Sequence, residues 1–229
     1  MKYEVLIFDA DDTLYDYSKA EIYALKNLFK DIGIDYNEIY QEIYNEINKK
    51  IWEDFEKGLI SQKDLKNERF KILFDKLNFK SLDFKNINFG EIYQEHLSNA
   101  DFLFEESLDI IKKLHKKYRL AIITNGLLKV QEKRIRKNEI AKYFEEIVIS
   151  DEVNMRKPNK DIFDYTLNKM QVEDRTKVLM IGDSLTSDIL GGINSGIDTC
   201  FINLYKKKNK SDINANFEIN HVRELKNYL

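Results

Sequence analysis

Acidic residues follow two apolar segments of the chain at spacings that suit catalysis. The first segment ends in Asp9-x-Asp11, where two side chains that stand two residues apart project to the same side of an extended backbone. The second ends in Gly182-Asp183-(x4)-Asp188. Crowded carboxylates raise one another's pKa, and a bound cation relieves the repulsion. Because Mg²⁺ prefers oxygen ligands, we predict a magnesium site with Asp183 on the metal and Asp188 bracing a metal-bound water.

Both acidic clusters also have a purely structural interpretation. Asp and Thr are favoured at helix N-termini, so the cluster from Asp9 to Thr13 is also typical of a helix cap. Asp188 is equally typical of an acid in the first turn of the helix that follows. At this point of the argument, a cap and a metal site remain alternatives for each cluster.

Hydrogen-bond donors follow two further apolar segments. Thr124-Asn125-Gly126 comes after one of them, and Lys157-Pro158 comes a few residues after the other. Hydroxyl, amide and backbone N–H groups suit phosphate oxygens, and Lys157 adds a positive charge. We therefore predict that Thr124, Asn125 and Lys157 bind phosphate, although most lysines of such a chain are surface residues.

Acids, a divalent cation and phosphate-binding donors together indicate phosphoryl transfer. Asp9 is the predicted nucleophile, which would form an aspartyl phosphate and so divide one difficult displacement into two easier ones. Asp11 is the predicted acid/base, which protonates the leaving oxygen and then takes a proton from the attacking water.

The apolar segments that carry these residues read as buried strands. They are nearly continuous in apolar residues rather than alternating, as expected of strands covered on both faces of a parallel sheet. Helical patterns separate the later ones, which is typical of βαβ units. The predicted strands are Tyr3–Phe8, Leu120–Thr124, Ile147–Ser150, Val178–Ile181, Thr199–Asn203 and a weaker Asn216–Ile219.

Between about residues 18 and 98 the pattern changes to apolar residues three and four apart, which indicates amphipathic helices. Ile22 and Ile39 begin two of these series, and Ser61 with Asp64 forms the N-terminal signature of a third helix. We therefore predict an α/β fold: a Rossmann-like, three-layer core with a parallel sheet, formed by residues 1–16 and 100–229, and an inserted all-helical domain at 17–99.

Composition narrows the possible partners and compartments. Of 229 residues, 37 are Lys or Arg and 40 are Asp or Glu, and a net charge of −3 offers no field for nucleic acid polymers or anionic membranes. The run Lys206-Lys207-Lys208 is interpreted as a solvated loop. The single cysteine, Cys200, excludes an intrachain disulfide, and no membrane-spanning or secretory segment is evident. We expect a soluble, cytoplasmic monomer or weak homodimer.

The four motifs in this order resemble those of the haloacid dehalogenase-like (HAD) hydrolases. The resemblance implies a Rossmann-like core, with Thr124 and Lys157 on the substrate phosphate. It also implies Mg²⁺ held by Asp9, the backbone carbonyl of Asp11, and Asp183, with Asp188 in support. The helical insertion resembles the mobile cap of the family, which closes over substrate.

The stretch Ile51–Gly58, the pair Arg69-Phe70 and Ser150-Asp151-Glu152 before Lys157-Pro158 resemble the pyrimidine nucleotide phosphatases, which are 5′-nucleotidases with a helical cap. The similarity implies a substrate among nucleoside 5′-monophosphates, and Asp11, which the dehalogenases of the family lack, favours phosphoester hydrolysis. Before its lysine motif the subgroup usually has a glycine, where this chain reads Val153-Asn154-Met155-Arg156.

Aromatic and guanidinium groups of the insertion are candidates for contact with a nucleobase. Trp52, Phe55 and Arg69 are the predicted substrate residues, with burial in the cap as the alternative for Trp52. Tyr15 and Tyr17 either line the entrance or pack at the hinge.

Three other functions stay open from the sequence. A phosphatase of other small metabolites or a sugar phosphomutase would use the same aspartyl phosphate, with the phosphoryl group passed to a sugar hydroxyl in the mutase. A phosphoacceptor signalling module also places acids, a Thr and a Lys around Mg²⁺, but such modules are about half as long and lack a helical insertion.

Overall fold

A computed structural model describes residues 2–79, 82–83 and 86–229, and the chain divides into two compact units. The first, here called the core unit, comprises Met1–Ser18 and Asp101–Leu229. The second, the helical unit, comprises Lys19–Ala100. These bounds lie close to the domain bounds expected from the sequence, 16/17 and 99/100.

In the described part of the core unit, six parallel strands form one sheet in the order β3-β2-β1-β4-β5-β6. Each lies within two residues of a predicted strand. Because β1 lies between β2 and β4, the strand order reverses there, and the carboxyl ends of these three strands border the crevice where such sheets bind ligands. The strands are β1 Val5–Phe8, β2 Arg119–Thr124, β3 Glu146–Ile149, β4 Val178–Gly182, β5 Asp198–Ile202 and β6 Phe217–Ile219.

The sheet is buried on both faces, as its continuous apolar strands predict. Leu6 and Phe8 of β1 contribute to one apolar cluster, and Val5 and Ile7 contribute to a second. Since successive side chains of a strand point to opposite faces, the two clusters are the two sides of a doubly covered sheet. The predicted three-layer α/β/α core is therefore confirmed.

The insertion is helical, as predicted. Its third helix begins with the predicted capping box, in which the Asp64 amide donates to Ser61 Oγ (3.2 Å) and the Ser61 amide donates to Asp64 Oδ2 (3.0 Å). The helices are α1 Tyr17–Asp31, α2 Glu38–Glu56, α3 Gln62–Lys76 and α4 Phe89–Ser98.

Two apolar residues of the predicted amphipathic helices are exposed rather than buried. Ile22 is 37% exposed and Ile39 is 53% exposed, whereas Glu21 is buried. Glu21 accepts hydrogen bonds from Asn48 Nδ2 (2.7 Å) and Gln41 Nε2 (3.3 Å), which offset the loss of hydration of its carboxylate. Periodicity alone does not reveal such a buried polar network.

Short helices cover the faces of the core sheet. The α-helices are α5 Ser107–Leu114, α6 Leu128–Gln131, α7 Ser150–Val153, α8 Lys160–Lys169 and α9 Leu190–Asn194. Two π-helical turns, Glu132–Arg136 after α6 and Leu185–Ile189 before α9, follow the carboxyl ends of β2 and β4. Within the described residues, no helix combines the length and the apolar character needed to cross a membrane.

Candidate active site

Three neighbouring strands carry the predicted site residues to one edge of the sheet. Phe8 of β1 pairs with Ile122 of β2 and with Ile181 of β4. The chain therefore leaves this edge at similar levels on all three strands. Asp9, Thr124 and Asp183 follow or end these strands, so residues far apart in the sequence meet around the end of β1.

Lys157 lies at the centre of this group. Its Nζ is 2.5 Å from Asp9 Oδ1 and 2.7 Å from Asp188 Oδ1, and it donates to the carbonyl of Ile123 at 2.7 Å. Burial lowers the pKa of Lys157, but the charges of Asp188 and Asp9 raise it by more, so the net pKa is raised. The amine is therefore charged at neutral pH, and it bridges two carboxylates.

Asn125 holds the lysine in place. Its Nδ2 donates to the Lys157 carbonyl and its Oδ1 accepts from the Lys157 amide, both at 2.9 Å. From the sequence, we predicted that Asn125 binds phosphate. In the structure, both polar atoms of its side chain contact the backbone of Lys157. We therefore interpret the Asn125 side chain as a support for the lysine.

The carboxylates converge as a metal site requires. Oxygens of Asp9, Asp183 and Asp188 all lie within 4.8 Å of one another. Burial raises the pKa of Asp9 to about 7 against the opposing charge of Lys157, and burial with the charges of Asp9 and Asp188 raises the pKa of Asp183 well above its ordinary value. The single positive charge of Lys157 therefore does not neutralise the three carboxylates. Their oxygen atoms fit a hard divalent cation such as Mg²⁺.

Asp188 reaches the cluster because Gly182 has no side chain where β4 passes its carboxylate. Its Oδ2 accepts from the Ser184 amide at 3.0 Å, and the π-helical turn Leu185–Ile189 carries it. A Cβ on Gly182 would lie 2.2 Å from Asp188 Oδ2. Glycine is therefore required where β4 passes this buried carboxylate.

Asp11 is held by two residues that sequence reasoning missed. Arg134 Nη1 is 2.6 Å from Asp11 Oδ1, and Gln131 Nε2 donates to Asp11 Oδ2 at 2.8 Å. Gln131 Nε2 also lies 3.1 Å from Thr124 Oγ1, which accepts from the Gly126 amide at the same distance. In the sequence, these two residues are visible only as a polar pair, Gln131 and Arg134, three positions apart. That spacing is common on solvent-exposed helix faces and does not indicate a contact with Asp11.

The two tyrosines beyond the first motif pack against Arg134. The buried Tyr15 donates from its hydroxyl to the Arg134 carbonyl at 3.1 Å, and the guanidinium lies 5.3 Å from the Tyr15 ring centroid and 5.9 Å from that of Tyr17. For Tyr15, packing is therefore the correct alternative. Asp12, which directly follows the second motif acid, has a positive φ of 54° and accepts from the Tyr17 amide at 3.2 Å. Burial, together with the charge of Asp11, raises the pKa of Asp12 to about 6.

The three predicted substrate residues of the insertion lie in the helical unit. Trp52 and Phe55 are half-buried neighbours on α2 with ring centroids 5.8 Å apart. Arg69 is only 1% exposed, donates to Asn48 Oδ1 at 2.9 Å and lies over the Tyr93 ring at 4.9 Å. Its guanidinium is thus part of the interior of this unit.

With this geometry established, comparison with known proteins identifies the family. The sequence model of the haloacid dehalogenase-like hydrolases matches residues 3–196. The chain is a haloacid dehalogenase-like hydrolase. This membership confirms the family, the fold and the hydrolase class predicted from the ordered motifs.

Three curated relatives of this hydrolase match over nearly its whole length. They are the HAD-hydrolase YfnB of Bacillus subtilis (32% identical, 98% of this chain and 94% of the relative), the pyrimidine 5′-nucleotidase YjjG of Escherichia coli (31%, 100% and 99%) and the pyrimidine 5′-nucleotidase PynA of Streptococcus pneumoniae (32%, 98% and 94%). A crystal structure of YfnB bound to magnesium matches with a TM-score of 0.93 and covers 100% of this chain and 99% of that one.

A residue in the left-handed conformation precedes the Lys157 segment of the hydrolase. Asn154 ends α7 in the left-handed conformation, with φ 53° and ψ 30°. Asn is the non-glycine residue that best tolerates this conformation. The chain therefore makes a turn that suits Asn or Gly just before the Lys157 segment.

Proposed function

We propose that this hydrolase is a Mg²⁺-dependent phosphomonoesterase that acts on nucleoside 5′-monophosphates through an aspartyl phosphate on Asp9. The observation that carries the proposal is the convergence of Asp9, Asp183 and Asp188 around the charged Lys157. This arrangement combines a carboxylate nucleophile, a site for a divalent cation and a fixed cation for the phosphoryl oxygens. Phosphoryl transfer depends on that combination, because positioning and charge neutralisation supply most of the catalysis.

The residues of the chain divide the reaction into two steps. A carboxylate oxygen of Asp9 attacks phosphorus, the bond from phosphorus to the leaving oxygen breaks, and Asp11 donates a proton to that oxygen. Water then attacks the phosphorus of the aspartyl phosphate, the bond from phosphorus to the Asp9 oxygen breaks, and Asp11 accepts a proton from the water. Inorganic phosphate leaves, and Asp9 is restored.

Thr124 and Lys157 bind the phosphoryl oxygens through the hydroxyl and the amine, and the Asn125 amide keeps Lys157 in register. Mg²⁺, held by Asp9, Asp183 and the backbone carbonyl of Asp11 with Asp188 in support, would neutralise the negative charge of the phosphate.

The proposed substrate class rests on the relatives. Two of them are named pyrimidine 5′-nucleotidases, and each covers at least 98% of this chain. We propose that the helical unit is the cap that selects the substrate, with the half-buried rings of Trp52 and Phe55 as the groups for a flat base. Arg69, buried against the Tyr93 ring, would contribute to the interior of this unit.

A panel of phosphorylated metabolites tests the proposal. Phosphate release is measured from nucleoside 5′-monophosphates, hexose phosphates and triose phosphates, with Mg²⁺ and with EDTA. We expect Mg²⁺-dependent release, fastest from pyrimidine nucleoside 5′-monophosphates, that Asp9→Asn abolishes. Asp212→Asn, which changes an exposed acid in the loop before β6, is the matched control and should retain parent activity. Release that persists in EDTA or in Asp9→Asn would refute the mechanism, and a preference for hexose or triose phosphates would refute the substrate class.

A further inference from the structure

The carboxylate of Asp11 is gripped at both oxygens by side chains from one short segment. Arg134 contacts Oδ1 at 2.6 Å, and Gln131 contacts Oδ2 at 2.8 Å. Both contacts lie in the core unit, one helical turn apart along the chain. Such two-point contact fixes the direction of a carboxylate as well as its position, whereas a single contact leaves it free to rotate.

Arg134 is an unusual residue to find here, because its side chain is only 1% exposed. Removing a guanidinium from water is costly unless its partners are well placed. Here the partners are the Asp11 carboxylate and, around the guanidinium, the ring faces of Tyr15 and Tyr17. Burial leaves Arg134 little access to a substrate phosphate, so its evident target is Asp11.

Gln131 links Asp11 to the phosphate-binding loop. The same Nε2 that donates to Asp11 lies 3.1 Å from Thr124 Oγ1. A Cβ on Gly126 would lie 2.3 Å from this nitrogen, so glycine is required there to admit the amide. The predicted acid/base and a predicted phosphate-binding hydroxyl therefore share one neutral donor, which ties the two positions together.

The backbone supports the same arrangement. Gln131 is the last residue of α6, and Arg134 lies in the π-helical turn Glu132–Arg136 that continues it. The wider turn is seen in the bond from the Lys137 amide to the Glu132 carbonyl, at 3.3 Å. π-Helical turns are less favourable than α-helix and are concentrated at functional sites. The departure from α-geometry therefore coincides with the two side chains that hold Asp11.

We propose that Gln131 and Arg134 are positioning residues that aim the Asp11 carboxylate at the leaving oxygen and keep it in register with Thr124. The proposal rests on the proposed function, since it assigns Asp11 the proton transfer. Neither residue touches the reacting atoms in this scheme. Each acts through Asp11.

Leaving-group dependence tests the proposal. A nucleoside 5′-hydroxyl is a poor leaving group and needs a proton from Asp11, whereas p-nitrophenolate leaves readily without one. For both substrates kcat/KM reports the steps up to formation of the aspartyl phosphate. We expect Gln131→Leu and Arg134→Met to lower kcat/KM for uridine 5′-monophosphate by roughly 10- to 100-fold, and for p-nitrophenyl phosphate by less than about threefold.

Arg136→Met is the matched control. Arg136 lies in the same turn but pairs with Glu132 and Glu152, so we expect both values of kcat/KM to stay within about twofold of the parent. Melting temperatures are measured for all variants. Should Arg134→Met fail to fold, Gln131→Leu and the charge-preserving Arg134→Lys provide the same comparison.

A double-mutant cycle gives a second, independent readout. In an Asp11→Asn background, adding Gln131→Leu or Arg134→Met should change kcat/KM for uridine 5′-monophosphate by less than about twofold, because the group that they aim is already lost. Equal losses for the two substrates, or losses that multiply in the cycle, would overturn the positioning role. A parent protein that releases no phosphate from either substrate would instead overturn the proposed function.

Discussion

Asp183→Asn should stabilise the metal-free protein and remove its response to Mg²⁺. Burial, followed by the charges of Asp9 and Asp188, raises the pKa of Asp183 above its ordinary value of 3.8. A carboxyl whose folded pKa is raised costs stability at every pH above its unfolded pKa, because ionisation favours the unfolded chain. At pH 7.5 the parent bears this cost and the Asn variant does not.

The spacing of the cluster gives the magnitude. Two unit charges no more than 4.8 Å apart repel by at least about 3.5 kcal/mol at an effective dielectric constant of about 20, and Asp183 faces two such partners. Lys157 offsets part of this repulsion, and water screens more because Asp183 is only half-buried. We expect a net gain of about 2 kcal/mol in the free energy of unfolding, or a melting temperature about 4–8 °C higher.

Thermal melts of the parent, Asp183→Asn and the exposed control Asp212→Asn, each with EDTA and with Mg²⁺, provide the assay. Saturating Mg²⁺ should raise the stability of the parent by about 2.7 kcal/mol at 100 times its Kd, and that of Asp212→Asn equally. Asp183→Asn should start higher and show little shift. If all three proteins melt together in EDTA and shift together with Mg²⁺, Asp183 is not part of a repulsive metal site.

Three further predictions concern the same cluster. In EDTA, the free energy of unfolding should fall as pH rises from about 4 to about 7, because the pKa of Asp9 is raised from 3.8 to about 7 and the cost of ionising it develops over that interval. Urea titrations at a series of pH values measure this free energy. An increase over that interval would contradict the prediction. Lys157→Met should lower the free energy of unfolding at pH 7.5 by about 3 kcal/mol and the rate of phosphate release at least about 100-fold, because Asp9 and Asp188 lose their shared cation. A melting temperature and an activity at parent levels would show that this cation is dispensable. Gly182→Ala should lower stability by about 1–3 kcal/mol because its Cβ would lie 2.2 Å from Asp188 Oδ2, and an unchanged melt would refute the close packing.

Local sequence patterns were sufficient for the elements of this protein. Nearly continuous apolar runs marked β1 to β4, because a strand buried on both faces cannot alternate, whereas β6 contains Glu218 and had a weaker pattern. The Ser61–Asp64 capping box was readable because all of its bonds lie within three residues. Grouping Asp9, Thr124 and Asp183 at one edge required only the rule that parallel strands end together.

The partners of those residues were decided by the tertiary structure. Lys157 pairs with Asp9 across 148 residues, and Arg134 pairs with Asp11 across 123. Pairings at such separations depend on which strands are neighbours and on their register, and no local pattern encodes either. The same reason explains why Asn125 supports the lysine and why Arg69 is buried against an aromatic ring. Sequence alone therefore determined which chemical groups this hydrolase has at its strand ends, and the sheet order determined what each group contacts.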